Sequence, residues 1–313
     1  MPSWVPDADA SGYPLHHLPL GVRRRPDGSH AVVARIGDYV ADLRVLAEIG
    51  LFDDCGGERA DFRAPALNAL IGRGNDVCGR VRRRLGQALD AEPTYFNLRE
   101  RREIFLLPLT QARLVLPVDV GDVAAVADGA VEHLRASSVV LDGAEVRCLT
   151  EDAEATVTAA AHLASVIGEG SSLGHAVPAS AAADHVFGMA SVLRFGASPT
   201  DGTRGSAPTY AYVLSPWITP ATVVTQVSLS LDVTPFRHRT REAAALDLSA
   251  AQRDPSANIA QLTAAGARLR PGDLLLRPLP ALSVGDLAEG DVITVRGTSS
   301  LPLAPASATV LTP

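Results

Sequence analysis

Arg135-Ala136-Ser137-Ser138-Val139-Val140 heads a series of short apolar runs, each bounded by Gly, Pro or Asp, that fills the rest of the chain. Ser138–Leu141, Thr156–Ile167, Thr222–Val233, Asp273–Leu276 and Val292–Val295 read as β-strands. In Thr222–Val233 the residues Val224, Val227, Leu229 and Leu231 are set against Thr225, Ser228 and Ser230, the pattern of a half-buried strand. One helix interrupts the series, Pro255 to Arg268, with Ile259, Leu262 and Ala265 on one face and Gly266 near its end. Leu301 to Pro313, rich in Pro, Ala and Ser, reads as an extended tail. Many strands with few helices predict a mainly β molecule wrapped as a mixed roll or sandwich.

Upstream, residues 1–112 read as a smaller, mostly β domain with a helical insertion. His30–Ile36 and Tyr39–Leu43 flank Gly37-Asp38, a two-residue step suited to a tight hairpin. Asp61 is placed to cap a short helix through Leu67 and Leu70, with Pro65 in its first turn. Val77, Val81, Leu85 and Leu89 recur every fourth residue, an apolar stripe beneath Arg80, Arg82 and Arg84. Ala112–Pro117 reads as the crossing into the second domain, 113–313.

The net charge of −7 argues against a nucleic-acid footprint, so the runs Arg23–Arg25 and Arg82–Arg84 read as solvated surface. All 28 basic residues are arginine. Schiff-base and lysine general-base mechanisms are thereby excluded, since a guanidinium keeps its proton near neutral pH. Cys55, Cys78 and Cys148 form no C-x-x-C pair. The first residues lack a signal-peptide layout, and no apolar run nears the roughly 20 residues of a membrane span. A cytoplasmic protein without membrane contact is expected.

Taken in order, Arg135–Val140, Ser215-Pro216-Trp217 and Leu269-Arg270-Pro271-Gly272-Asp273-Leu274 resemble segments of fumarylacetoacetases. Ser3-Trp4-Val5-Pro6, Leu18–Val22, Leu116-Pro117 with Gly121-Asp122, and His185-Val186-Phe187-Gly188-Met189 extend the resemblance over nearly the whole chain. It implies an N-terminal SH3-like barrel domain followed by a mixed β-roll (fumarylacetoacetase-like) domain, and a homodimer formed through the roll. It also implies hydrolysis of a carbon–carbon bond in a β-diketo acid. In that chemistry four carboxylates hold Mg²⁺ or Ca²⁺, and a histidine paired with a glutamate activates water.

The residues that would do this are replaced. Gly121-Asp122-Val123 runs almost directly into Val131-Glu132-His133-Leu134, so the excursion expected to bear the first metal aspartate and the catalytic histidine is largely missing. The Glu-x-Glu ligand pair corresponds to Ala160 and His162, and the fourth ligand to Arg194. The substrate-binding lysine falls near Pro208, and a late Gly-Thr-Ile-Ser-Gly segment is replaced by Arg277-Pro278-Leu279-Pro280. With no carboxylate at these positions and an arginine at one, no metal or other cofactor is expected.

His162 and Arg194 are then the candidate catalytic residues, a fixed guanidinium beside an imidazole able to move protons at neutral pH. Glu132, His133, Arg204, Tyr210 and Tyr212 are candidate substrate contacts, although Glu132-His133 reads more readily as a deletion junction on a solvated turn. The leading expectation is a metal-independent enzyme acting on a small-molecule carboxylate or carbonyl compound in a specialised biosynthetic pathway. The alternatives are a non-catalytic pseudoenzyme, acting as a dimeric scaffold or partner of an active enzyme, and a conventional β-diketo acid hydrolase.

Overall fold

The structure, a computed structural model, describes residues 2–92, 98–127, 130–147, 156–198, 209–236, 238, 240–299 and 301–311. In the N-terminal part β1 (Leu20–Arg24), β2 (His30–Ile36) and β3 (Tyr39–Asp42) form an antiparallel meander, with Gly37-Asp38 making the turn. β4 (Leu106–Pro108) extends it beyond β3 and β5 (Arg113–Val115) beyond β1, giving a five-stranded antiparallel sheet. This sheet takes in residues past the boundary drawn at residue 112.

Between β3 and β4 lie α1 (Leu43–Glu48), α2 (Asn68–Ile71) and α3 (Asn75–Leu89). Helix α3 buries Val81, Leu85 and Leu89 of the predicted stripe together with Cys78, while Val77 at its start is half-buried. Asp61 caps no helix. The residue before Pro65, Ala64, is extended at ψ 150°, because the proline ring disfavours helical geometry there. The Asp61 carboxylate instead accepts from the Glu58 N–H and pairs with Arg73. The Arg23–Arg25 run is not simply solvated either. Arg23 and Arg25 converge at 2.5 and 3.4 Å on the fully buried Asp42, which also caps α1 by accepting from the Val45 N–H.

The larger part contains β6 (Val123–Ala127), β7 (Ala130–Leu134), β8 (Val139–Leu141), β9 (Ala144–Arg147), β10 (Thr156–Ile167), β11 (Val186–Ser198) and β12 (Thr209–Leu214). It continues with β13 (Thr219–Pro220), β14 (Val227–Thr234), β15 (Arg241–Leu248), β16 (Leu274–Val284), β17 (Val292–Gly297) and β18 (Ala306–Leu311). They form two sheets, one ordered β7-β6-β16-β10-β11-β12-β8 with β13 on β11, the other β15-β14-β17-β18-β9. One face of the first sheet, through Ala161, Leu163, Leu193 and Phe195, packs against Leu229, Leu231, Ile293 and Val310 of the second. Its opposite face, through Ala164, Val166, Val192 and Leu214, shares a core with Leu20, Phe52, Leu70 and Phe105 of the N-terminal part. The mainly β expectation holds.

Several elements differ from the sequence reading. The strand expected from Thr222 begins at Val227, because Ala221–Val223 after Pro220 forms a 3₁₀ turn. The helix runs only from Ser256 to Ala264; Ala265 is exposed, and Gly266 at φ +93° ends it. Residues Ala306–Leu311 are a strand, with Ala306, Ala308 and Val310 buried at 0–2% exposure. Small side chains at alternate positions look like tail composition in sequence, yet they fit where two sheets pack closely.

The segments that carry the family resemblance sit at junctions. A Cβ on Gly21 would lie 2.7 Å from the Pro216 carbonyl oxygen and 2.9 Å from the Trp217 ring, so β1 can cross Ser215-Pro216-Trp217 only without a side chain. A Cβ on Gly188 would lie 2.4 Å from the Thr219 oxygen. Gly272 combines φ +93° with a 2.2 Å clash against Asn68, whose amide holds the Pro271 and Asp119 carbonyls together. Gly79 and Gly86 of α3, in contrast, have nothing within 4 Å of an added Cβ. Gly21→Ala and Gly272→Ala are therefore expected to destabilise the protein by about 2 kcal/mol or more. Gly79→Ala is expected to stabilise it by up to about 1 kcal/mol. Urea denaturation midpoints at constant m-value check both signs.

Candidate functional site

Strand register gathers the replaced positions on one sheet face. In the β10–β11 pair Ala160 lies opposite Arg194 and His162 opposite Val192. Side chains two apart share a face, so Ala160, His162, Val192 and Arg194 all point the same way. His162 and Arg194 are diagonal neighbours, within reach of long side chains. On β12, Tyr212 pairs with Arg194 and joins the same face.

The other flank is β16, with Pro278 opposite His162 and Ser283 opposite Ala160. Residues 279–282 are thus looped out against the single residue Ala161. Here the proline segment removes ladder donors and forces the strand to bulge, as strands often do beside functional sites. The sequence signal was the replaced Gly-Thr-Ile-Ser-Gly segment; that it borders His162 is visible only in the register.

His162 and Tyr212 are buried, at 5% and 3% exposure, and their rings meet edge-to-face with centroids 6.3 Å apart at 89°. Arg194 is half-buried beside them. The His162 Nδ1 lies a long 3.4 Å from the Ala160 carbonyl oxygen. A carbonyl can only accept, so Nδ1 carries the proton in that contact and Nε2 is the ring's acceptor. Burial pushes the imidazole down to about 4; the Ala160 hydrogen bond opposes this in part, and the Arg194 charge adds a smaller downward push. At neutral pH this ring is uncharged and weakly basic. The expectation of a proton shuttle poised near pH 7 is corrected accordingly: desolvation has moved the group too far.

The remaining predicted residues do not join this cluster. Glu132 and His133 lie on β7, in a strand rather than a turn, and both are exposed. β6 and β16 separate β7 from β10, which places Glu132 and His133 three strand spacings from His162, about 14 Å in a flat sheet. Tyr210 belongs to β12 at a register shift beside Gly196. Arg204, Cys148 and the Tyr210 side chain lie outside the described residues.

The residues present do not fit a divalent cation. The Ala160 side chain offers no ligating atom, and the Arg194 guanidinium would repel the ion. Among the described residues no group of three or more His, Cys, Asp or Glu is placed to hold a metal.

Comparison with known proteins agrees with this framework. The family model for the fumarylacetoacetase N-terminal domain matches residues 16–117. Fumarylacetoacetase of Bos taurus is 27% identical over 268 residues, covering 70% of this chain and 63% of that protein. The Oryza sativa subsp. japonica fumarylacetoacetase is 32% identical over 133 residues, covering 38% of this chain and 29% of that protein. The chain thus spans less than two thirds of the length of these relatives. Among solved structures, maleylpyruvate hydrolase from Sphingobium sp. SYK-6 superposes with a TM-score of 0.60 at 20% identity, over 95% of this chain and 100% of that one. A 5-carboxymethyl-2-hydroxymuconate delta-isomerase from Mycobacterium smegmatis gives 0.58 at 17% identity with the same coverage. These structural likenesses show a shared fold. The chain thus resembles a divergent member of the fumarylacetoacetase family, through the matched N-terminal model and the relatives just named.

Two buried neutral histidines make stability depend on pH. His17, like His162, is pushed down to about 4, chiefly by burial. Its ring stacks on Tyr13 and contacts the Gly12 carbonyl and the Thr219 hydroxyl. In the unfolded chain both titrate near 6.5, so between pH 6.5 and 4 the unfolded state binds more protons and stability falls as pH falls. The loss is expected to reach on the order of 3 kcal/mol for each ring. Denaturation from pH 7.5 to 4 checks this, with His162→Gln showing a shallower slope than wild type.

Proposed function

We propose that this chain is a metal-independent member of the family that takes a small carboxylate or carbonyl compound at the face formed by Ala160, His162, Arg194 and Tyr212. One observation carries the reading: a guanidinium and a neutral imidazole stand on adjacent strands where the family resemblance places acidic ligands. A partly desolvated guanidinium can hold a carboxylate or enolate oxygen through charge-assisted hydrogen bonds. The His162 Nε2 can accept from a hydroxyl on the same ligand, and the Tyr212 ring forms an apolar wall. Glu132 and His133 have no part in this reading.

The burial of His162 and Tyr212 favours a second reading. Two rings packed edge-to-face fill space that a substrate would need, as expected of a non-catalytic family member serving as a dimeric scaffold or partner of an active enzyme. Calorimetric titration with pyruvate, a ligand held with manganese(II) in one structure of the Sphingobium enzyme, separates the two. The first reading expects binding without divalent metal and at least a tenfold loss in Arg194→Met, with partial recovery in Arg194→Lys. No binding by wild type to pyruvate or a panel of small mono- and dicarboxylates leaves the second. Added Mg²⁺, Mn²⁺ or Ca²⁺ is expected to leave the melting temperature unchanged. A rise of several degrees would instead restore the conventional hydrolase.

A further inference from the structure

Helix α3 carries a cluster of positive charge that the proposed site does not use and the fold uses only in part. Arg80, Arg83, Arg84 and Gln87 are spaced i, i+3, i+4 and i+7, so they share one helix face with Cβ atoms about 5–6 Å apart. With Asp54 and Cys55 they line a notch of about 250 Å³. Like charges at this spacing destabilise a helix, and acidic residues interspersed along it would normally offset them. Helix α3 has one acid, Asp76, in its first turn.

The arginine partners in the notch leave charge over. Arg84 pairs with Asp54. Arg80 donates through Nε to the Cys55 carbonyl, a neutral acceptor. Arg83 is exposed and has no hydrogen-bond or ion-pair partner among the described residues. Serving a reactive thiolate is not the purpose, since Cys55 is buried at 3% exposure and its thiol is pushed up, chiefly by burial and then by Asp54. The cluster also runs against the −7 charge of the chain as a whole.

We infer that the α3 notch is a binding site for a phosphate monoester, its dianionic head held by Arg80, Arg83 and Arg84 with Gln87 as a neutral donor. Two guanidinium charges beyond the Arg84–Asp54 pair match a dianion better than a single carboxylate, and guanidinium forks bind phosphate oxygens bidentately. Arg83 and Gln87 also border a cavity of about 1080 Å³ on the other flank of the helix. The organic part of the ester has room there, against Gly79 and Gly86. This site is independent of the Arg194 face and stands or falls separately.

The test uses the full chain and inorganic phosphate at constant ionic strength. Phosphorus-31 NMR titration is expected to show saturable binding, at least tenfold tighter than chloride or acetate competes. Arg83→Gln is expected to weaken it at least tenfold, while Arg24→Gln, an exposed arginine outside the cluster, leaves it unchanged. Thermal melting adds a sign test. Without phosphate, Arg83→Gln melts at or above the wild-type temperature, because a repulsion is relieved. With saturating phosphate it melts below wild type, because a ligand contact is gone. If phosphate binds no better than acetate, or Arg83→Gln and Arg24→Gln behave alike, the inference is wrong.

Discussion

The pairing of Thr156–Ile167 with Val186–Ser198 is the constraint on which the rest of this structure hangs. These two strands are the common wall of both large cores. One face closes against the second sheet and the other against the N-terminal part. A one-residue slip between them would exchange every buried side chain for its opposite. The same slip would move His162 and Arg194 off their shared face, so the register that stabilises the fold also defines the candidate site.

That arrangement separates the residues that hold the framework together from those on the candidate face. The segments that carry the family resemblance serve as contacts: Gly21 against Pro216 and Trp217, Gly188 against Thr219, Gly272 against Asn68 and Asp119. Steric fit of this kind is indifferent to what occupies the sheet face. Ala160, His162 and Arg194 are not among these contacts. The half-buried Arg194 gives that face a positive charge.

Burial sets the character of the new face. An imidazole enclosed beside a tyrosine ring and a guanidinium sheds its proton, so it acts as a neutral hydrogen-bonding group at physiological pH. His17, with no role in the site, meets the same fate through the same desolvation. A depressed histidine marks enclosure first; chemistry requires a partner geometry as well.

The sequence by itself determined the mainly β class, the β2–β3 hairpin, most of the apolar stripe of α3 and the family resemblance, because period-2 alternation, turn chemistry and local motifs are properties of neighbouring residues. It also marked His162 and Arg194. The tertiary structure alone decided that Ala306–Leu311 is a core strand, that Glu132 and His133 stand apart from the cluster, and that Pro278 borders it. Each of those depends on which strand lies beside which and in what register. That is fixed by packing between residues distant in the chain, where local pattern carries no information.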